Sequence, residues 1–321
     1  MKYIHHDEHG GLSLREQAPP VVNSDEVLID VKAFGINRAD LLQKQGKYPP
    51  PKGASPILGL EVSGVIKQRG DNVSQWQVGE RVCAMLSGGG YANEAVIKAN
   101  QVMALPDALS FEQGAAFPEV YLTAFQVLDW IADVQSQQNV LIHAGASGVG
   151  LAAIQLAKKK GANVAVTVSS PEKAQSCLAK GADVAIAYQE QDFYDVLKEQ
   201  WGGVDVVVDM VSAHYTNKNL KLLNLDGKIV DLAILGGRFV EQFDSALLLG
   251  KRASLIGTTL RNRSDKYKAK LVADFTAQHL TQIAQGELEL SIDTVFPAEQ
   301  IEMAHQRLQQ NNSVGKFVVT W

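Results

Sequence analysis

The sequence predicts an α/β protein in two parts, a doubly wound parallel sheet joined to a mainly β domain, and three observations carry the prediction. Residues 139–144 (NVLIHA) form a strand-like run that passes through a glycine turn into an apolar helix reaching Lys160, the opening of a βαβ unit. Strand-like runs then recur at 163–168, 184–188, 204–210, 227–233 and 253–260, with helical segments between the earlier ones. Runs such as VDVVVDM at 204–210 are near-continuously apolar, as a parallel sheet covered by helices on both sides requires, because neither face of the strand meets water.

The preceding segment has a different grammar. Residues 27–34 (VLIDVKAF) alternate and are rich in β-branched side chains, and 62–66 and 95–97 continue as short strands separated by Gly, Pro and Asp turns. The pattern changes near Pro118, where a helical stretch over 121–131 leads into the first apolar strand. Beyond Arg261 a long helical stretch, a strand at 291–296, a helix at about 298–309 and a closing strand at 316–321 follow. The closing strand is expected to rejoin the first domain, giving a discontinuous, mainly β domain (1–120 and 262–321) and a sheet domain (121–261).

With 321 residues, 46% of them hydrophobic, the chain has enough apolar surface for two cores. Its net charge of −5 supplies no positive field for a phosphate backbone. The one basic run, Lys158 to Lys160, falls at the end of a predicted helix, where cations complement the dipole, and reads as a solvated face. No nucleic-acid partner is therefore expected. Cys83 and Cys177 lie far apart with no CxxC spacing, which speaks against a disulfide framework or a zinc knuckle. The start MKYIHHDEHG lacks a basic segment followed by an apolar one, and no apolar run approaches the ~20 residues that span a bilayer. A cytoplasmic protein without a membrane partner is expected.

The strongest chemical signal is the turn Ala144, Gly145, Ala146, Ser147, Gly148, Val149, Gly150, between strand and helix. Such a turn lets backbone N–H groups approach a pyrophosphate, and the helix N-terminus adds partial positive charge. Ser147 replaces the middle glycine of GxGxxG, a departure that the βαβ context offsets. An NAD site would place a carboxylate at the end of the second strand. Here stand Ser169 and Ser170, then Pro171, Glu172 and Lys173. Small hydroxyls and a cation suit a 2′-phosphate, Glu172 is expected in the first turn of the next helix, and the cofactor predicted is NADPH.

Several ordered segments also resemble quinone oxidoreductases: NRADL at 37–41, ILGLEVSG at 57–64, YLTAF at 121–125 and HAGASGVG at 143–150. Together with DKYK at 265–268, they resemble most the p53-inducible quinone-oxidoreductase-like subgroup of the zinc-free medium-chain dehydrogenases/reductases. The resemblance spans nearly the whole chain. It implies a GroES-like catalytic domain, a Rossmann domain, NADPH in the cleft between them, and a homodimer formed through the Rossmann sheets. By motif position it places Asn37 and Thr123 near the nicotinamide, Ser170, Lys173 and Tyr188 near the 2′-phosphate, and Leu235, Gly236 and Gly237 beside the nicotinamide ribose. Arg261 and Lys316 are further carry-overs to the cofactor site.

Zinc relatives of that superfamily need a Cys/His/Cys set and a cysteine-rich lobe. In this chain Asn37 lies in the segment of the first cysteine, Leu60 replaces the histidine, and residues 87–91 run directly into Ala92, Asn93 and Glu94. The seven histidines show no HxxxH spacing, so no metal is expected, His143 reads as a packed, hydrogen-bonded residue and Glu61 as a structural carboxylate. Without a Lewis acid the natural acceptor is electron-poor. A quinone is the first expectation. The alternatives are an α,β-unsaturated carbonyl (enal, enone or enoyl thioester) and a non-catalytic NADPH-binding sensor. Asn37 as hydrogen-bonding positioner, Tyr48 in the stiff GKYPPP loop, and Thr123 are the candidate substrate-site residues. The glycines at 88–90 need no role beyond a hairpin turn.

Overall fold

The computed structural model describes residues 1–7 and 9–321. The chain divides into two compact units, Met1–Leu122 with Leu260–Trp321, and Thr123–Thr259.

In the first unit a seven-stranded sheet runs in the order Ile292–Pro297, Lys316–Thr320, Glu26–Ile36, Glu61–Arg69, Arg81–Met85, Val102–Ala104, with Glu94–Lys98 paired to Glu26–Ile36. All pairings are antiparallel except that of Ile292–Pro297 with Lys316–Thr320. Phe34, Leu58, Val62, Val82, Tyr91, Phe317 and Val319 fill the core. The strand Lys316–Thr320 lies antiparallel to Glu26–Ile36, with Phe317 opposite Ile36 and Thr320 opposite Ala33. A separate hairpin joins Lys2–His6 to Leu12–Glu16.

The second unit holds a six-stranded, all-parallel sheet in the order Val184–Ala187, Asn163–Val168, Asn139–Ile142, Val204–Asp209, Leu223–Asp231, Ser254–Gly257. The order reverses beside the first of these strands in sequence, Asn139–Ile142, the topological switch point at which doubly wound sheets bind ligands. Val140 to Ile142 and Val206 to Val208 are at most 1% exposed, as a sheet covered on both faces demands.

Some local features differ from the expectations. The helix expected at 121–131 starts earlier, as Pro118–Phe125, and passes into a π-helical turn, Gln126–Ile131. The strand expected at 227–233 begins at Leu223 and passes through Asp226 with φ 63°. Asn224 supports this detour, its Nδ2 donating to Asp205 Oδ1 at 2.7 Å. Of the basic run, Lys158 pairs with Asp183 and Lys160 with Asp129. Among the described residues no helix is long and apolar enough to cross a membrane.

Candidate functional site

The glycine turn of the second unit is shaped by close approach. A Cβ on Gly145 would come within 2.5 Å of Val166 Cβ on the neighbouring strand. One on Gly150 would overlap the backbone oxygens of Ala144 and Gly145. Neither position admits a side chain without moving backbone or strand. Ser147 is the N-cap of the helix Gly148–Lys159, its Oγ accepting from Gly150 N at 3.0 Å. The residue that broke the glycine pattern thus satisfies one orphan helix donor. Ala144 adopts φ 55°, so the strand turns sharply into the loop. The open backbone donors of this twelve-residue helix suit an anion.

At the end of the second strand Ser170 caps the helix Pro171–Ala179, Oγ accepting from Lys173 N at 3.4 Å. Glu172 lies in the first turn, its carboxyl held below its ordinary value chiefly by a hydrogen bond from Ser170. Ser169, Ser170 and Lys173 are half-buried, and Tyr188 is exposed just beyond the third strand. Leu235 N and Gly236 N donate to Met210 O and Val211 O, which fixes the loop after the fifth strand in sequence, Leu223–Asp231, against the end of the fourth, Val204–Asp209. Gly236 has no space for a Cβ beside Val211 and His214, and Gly237 takes φ 131°. Thr123 is half-buried in the helix Pro118–Phe125.

Beneath this surface lies a buried polar chain. His143 is fully buried, its Nδ1 2.9 Å from Thr167 Oγ1 and its Nε2 2.9 Å from Asn219 Oδ1. Asn219 Oδ1 can only accept, so Nε2 carries the proton and Nδ1 accepts from the threonine hydroxyl. Burial lowers the imidazole's basicity. Asn219 Nδ2 donates to Asp209 Oδ2 at 2.8 Å, and Asp209 Oδ1 accepts from Val211 N and Ser212 N. That carboxylate holds a loop in which Ser212 and Ala213 both have positive φ. Asp209, Asn219 and Asp231 were not singled out from the sequence. Asp231 is pushed up to about 6, first by burial and then by Asp209. A carboxylate directly after the apolar run Val206 to Val208 was the available signal for Asp209.

In the first unit Asn37 leads into the helix Arg38–Lys44, its backbone N donating to Asp40 Oδ2 at 2.7 Å. Its amide is locked at both ends: Nδ2 donates to Glu61 Oε1 at 2.9 Å and Oδ1 accepts from Lys316 Nζ at 2.6 Å. Lys316 Nζ is also 2.5 Å from Glu61 Oε1 and donates to Ile36 O at 2.9 Å. The ammonium thus has two hydrogen-bond acceptors and a carboxylate counter-ion in this unit. Gly35 leaves the room this requires, since a Cβ there would lie 2.7 Å from Glu61 Cδ. Asp40 is buried, also accepts from Gly59 N at 3.0 Å, and is pushed up to about 6 by burial despite its backbone donors.

Tyr48 is half-buried beneath the Arg261 guanidinium, whose central carbon lies 5.3 Å from the ring centre. Arg261 donates to Ser87 O at 2.9 Å, Gln43 Oε1 at 2.6 Å and Tyr48 O at 3.3 Å. It joins the proline loop to the turn that precedes the glycine run. Glu119 N donates to the other oxygen of Glu61, Oε2, at 3.0 Å. Burial, and then Glu61, push Glu119 up to about 8. Leu60 is packed in the core, and among the described residues no three His, Cys, Asp or Glu side chains are grouped to hold a metal ion.

With this geometry the comparisons with known proteins agree. The family model of the alcohol dehydrogenase GroES-like domain matches residues 23–107, and that of zinc-binding dehydrogenases matches residues 148–277. Quinone oxidoreductase of Homo sapiens is 30% identical over 335 residues, covering 99% of this chain and 97% of the human protein. The crystal structure of Escherichia coli quinone oxidoreductase complexed with NADPH has a TM-score of 0.89 and 29% identity, over 100% of this chain and 99% of that one. The CurK enoyl reductase has a TM-score of 0.86 and 27% identity, over 99% and 98% of the two chains. Fold, sequence and coverage together show that the chain belongs to the quinone oxidoreductase family of medium-chain dehydrogenases/reductases.

Proposed function

We propose that the chain is an NADPH-dependent reductase of quinones. The observation that carries the reading is the strand end in the second unit, where Ser169, Ser170 and Lys173 replace the carboxylate of an NAD site, behind a glycine turn with no room for side chains. The Escherichia coli relative solved with NADPH supports it. Backbone donors of residues 145–150 would take the pyrophosphate, Ser170, Lys173 and Tyr188 the 2′-phosphate, and Leu235 to Gly237 the nicotinamide ribose. When bound, NADPH supplies a hydride from the nicotinamide.

The protein's own part is orientation and exclusion of water. Asn37 cannot rotate, because Glu61 and Lys316 hold both ends of its amide. Its second N–H is offered to an acceptor oxygen. Tyr48, flattened under Arg261, provides a stacking face, and Thr123 is assigned beside the nicotinamide. We assign Lys316 and Arg261 indirect roles, the first fixing Asn37 and the second fixing the Tyr48 loop. Both cysteines are buried free thiols, which fits a reducing compartment and a cytoplasmic assignment. The edge strand Ser254–Gly257, with Leu249 and Leu255 exposed around it, is the surface we assign to a homodimer. Light scattering of the L249D/L255K variant as a monomer, against a dimeric wild type, tests that assignment.

The functional test is NADPH oxidation with benzoquinone and ortho-naphthoquinone, run beside NADH and enzyme-free controls. Quinone-dependent turnover that prefers NADPH is expected. Turnover confined to enones or enoyl thioesters would instead favour double-bond reduction, the activity named for the CurK relative. NADPH binding with no acceptor reduced would leave a sensor.

A further inference from the structure

Asn219 is fully buried on the helix Thr216–Leu222, and both ends of its amide are engaged. Nδ2 donates to Asp209 Oδ2 at 2.8 Å, and Oδ1 accepts from His143 Nε2 at 2.9 Å. Asp209 fixes which end is which, because a carboxylate only accepts. The other carboxylate oxygen, Oδ1, accepts from Val211 N at 2.7 Å and Ser212 N at 2.9 Å. These bonds hold a loop in a conformation it would not adopt alone. Ser212 has φ 59° and ψ −151°, a region essentially reserved for glycine, and Ala213 follows with φ 43°. Residues with a Cβ stay there only where their surroundings over-determine them. Here the surroundings are the three hydrogen bonds to Asp209 and the His143 ring, packed 4.7 Å from the Tyr215 ring centre. The loop Leu235–Gly237 in turn rests on this one. Leu235 N donates to Met210 O at 3.1 Å and Gly236 N to Val211 O at 2.8 Å. A Cβ on Gly236 would lie 2.7 Å from Val211 Cγ1, and one on Gly237 3.3 Å from Ala213 Cβ. The glycine turn has separate supports, Gly145 N on Thr167 O and Gly150 N on Ser147 Oγ, both at 3.0 Å.

We propose that Asn219 is a positioning residue for the nicotinamide half of the cofactor, acting through Asp209. The proposal deepens the NADPH reading above and rests on it, since that reading assigns Leu235 to Gly237 to the nicotinamide ribose. His143 orients the amide, the amide completes the set of donors on Asp209, and Asp209 holds Val211 and Ser212 where Gly236 packs against them. Deleting the amide takes the donor from Asp209 Oδ2 and leaves the carboxylate free to turn. The loop then relaxes away from its positive φ values and carries Leu235–Gly237 out of place. The bonds that shape the glycine turn do not pass through Asn219, so the adenosine end keeps its geometry.

Two variants test this beside wild type. N219L roughly keeps the side-chain volume and removes both hydrogen bonds. D209N/N219D moves the carboxylate across the pair and keeps every partner: the new amide at 209 donates to the new carboxylate at 219, which still accepts from His143, while the amide oxygen still accepts from Val211 N and Ser212 N. Hydrogen exchange of the cofactor-free protein is followed by mass spectrometry on peptides covering 210–215. It should accelerate at least about ten-fold in N219L and stay within about three-fold of wild type in the swap. Calorimetric titration should show NADPH bound about ten-fold more weakly by N219L, and adenosine 2′,5′-bisphosphate, which lacks the nicotinamide ribose, within about two-fold of wild type. The swap should bind both as wild type does. Unchanged NADPH affinity or unchanged exchange in N219L overturns the proposal. An equal loss for both ligands also overturns it, since that marks a general loosening of the fold, and so does a swap as impaired as N219L. If N219L does not fold, the swap decides: wild-type exchange and affinities uphold the proposal, and loss of either overturns it. A wild type that binds no NADPH overturns the cofactor reading and the proposal with it.

Discussion

Replacing Lys316 by Met keeps most of the side-chain volume and deletes the ammonium. Lys316 and Glu61 have side chains 6% and 0% exposed, with Nζ 2.5 Å from Oε1. The variant leaves the Glu61 carboxylate buried with its counter-ion gone, and strips one donor each from Ile36 O and Asn37 Oδ1. Removing one partner of a buried pair costs about 3–5 kcal/mol, and an orphaned carbonyl adds about 1 kcal/mol. The expected loss is about 5 kcal/mol, or about 10–20 °C in the midpoint of the first unit. Calorimetry and urea unfolding followed by circular dichroism measure it. In E61Q/K316M the uncompensated charge is gone too, so about half of the loss should return. A loss under about 1 kcal/mol in K316M, or a double variant as unstable as the single one, would refute this account of the pair.

Lys173→Ala should raise KM for NADPH about ten- to hundred-fold and leave that for NADH within about two-fold, since a charge-assisted contact to phosphate contributes about 1.5–3 kcal/mol; equal effects on both cofactors remove Lys173 from the phosphate site. Gly150→Ala forces a Cβ into the backbone oxygens of Ala144 and Gly145, so NADPH affinity should fall at least about ten-fold with the fold retained. Fluorescence titration showing wild-type affinity would contradict the tight turn. His305 is buried beside Tyr91 OH at 2.9 Å and is lowered to about 3, first by burial. Its folded value lies below the unfolded one, so the stability that depends on the neutral ring is complete above about pH 6.5 and is lost as pH falls towards 3. His305→Gln should flatten the midpoint-versus-pH curve over that window; an unchanged slope assigns the acid sensitivity elsewhere.

The parallel sheet was legible because strands buried on both faces leave unbroken apolar runs, as the burial of Val206, Val207 and Val208 shows. The hairpin of Lys2–His6 and Leu12–Glu16 was not legible, since of its first strand only Ile4 is fully buried and the alternation of the second, Leu12 to Arg15, spans four residues of which none is buried. The π-helical turn Gln126–Ile131 is read from sequence as ordinary helix, because the wider hydrogen-bond ring leaves the side-chain pattern nearly unchanged. His143 could be read as a packed residue, whereas its partners Thr167 and Asn219 lie 24 and 76 positions away and carry no local mark. Glu119 is a similar case. Nothing in its neighbourhood along the chain foretells Glu61 or Lys316, which the sheet register brings beside it. Ser147 shows the opposite: its departure from glycine was visible, and only the backbone reveals that its hydroxyl closes the first turn of the helix.

The place of Lys316–Thr320 in the sheet sets an order on biosynthesis. A ribosome delivers Glu26–Ile36 early and its antiparallel neighbour nearly three hundred residues later. All six strands of the second unit lie between Asn139 and Gly257, so that unit can fold on the nascent chain while the first still waits. During the wait residues 33–36 present an unpaired edge, and Glu61 is without the cation it is buried against. The emergence of Lys316–Thr320, rather than of any earlier segment, is the moment at which the ion pair and the sheet are completed together.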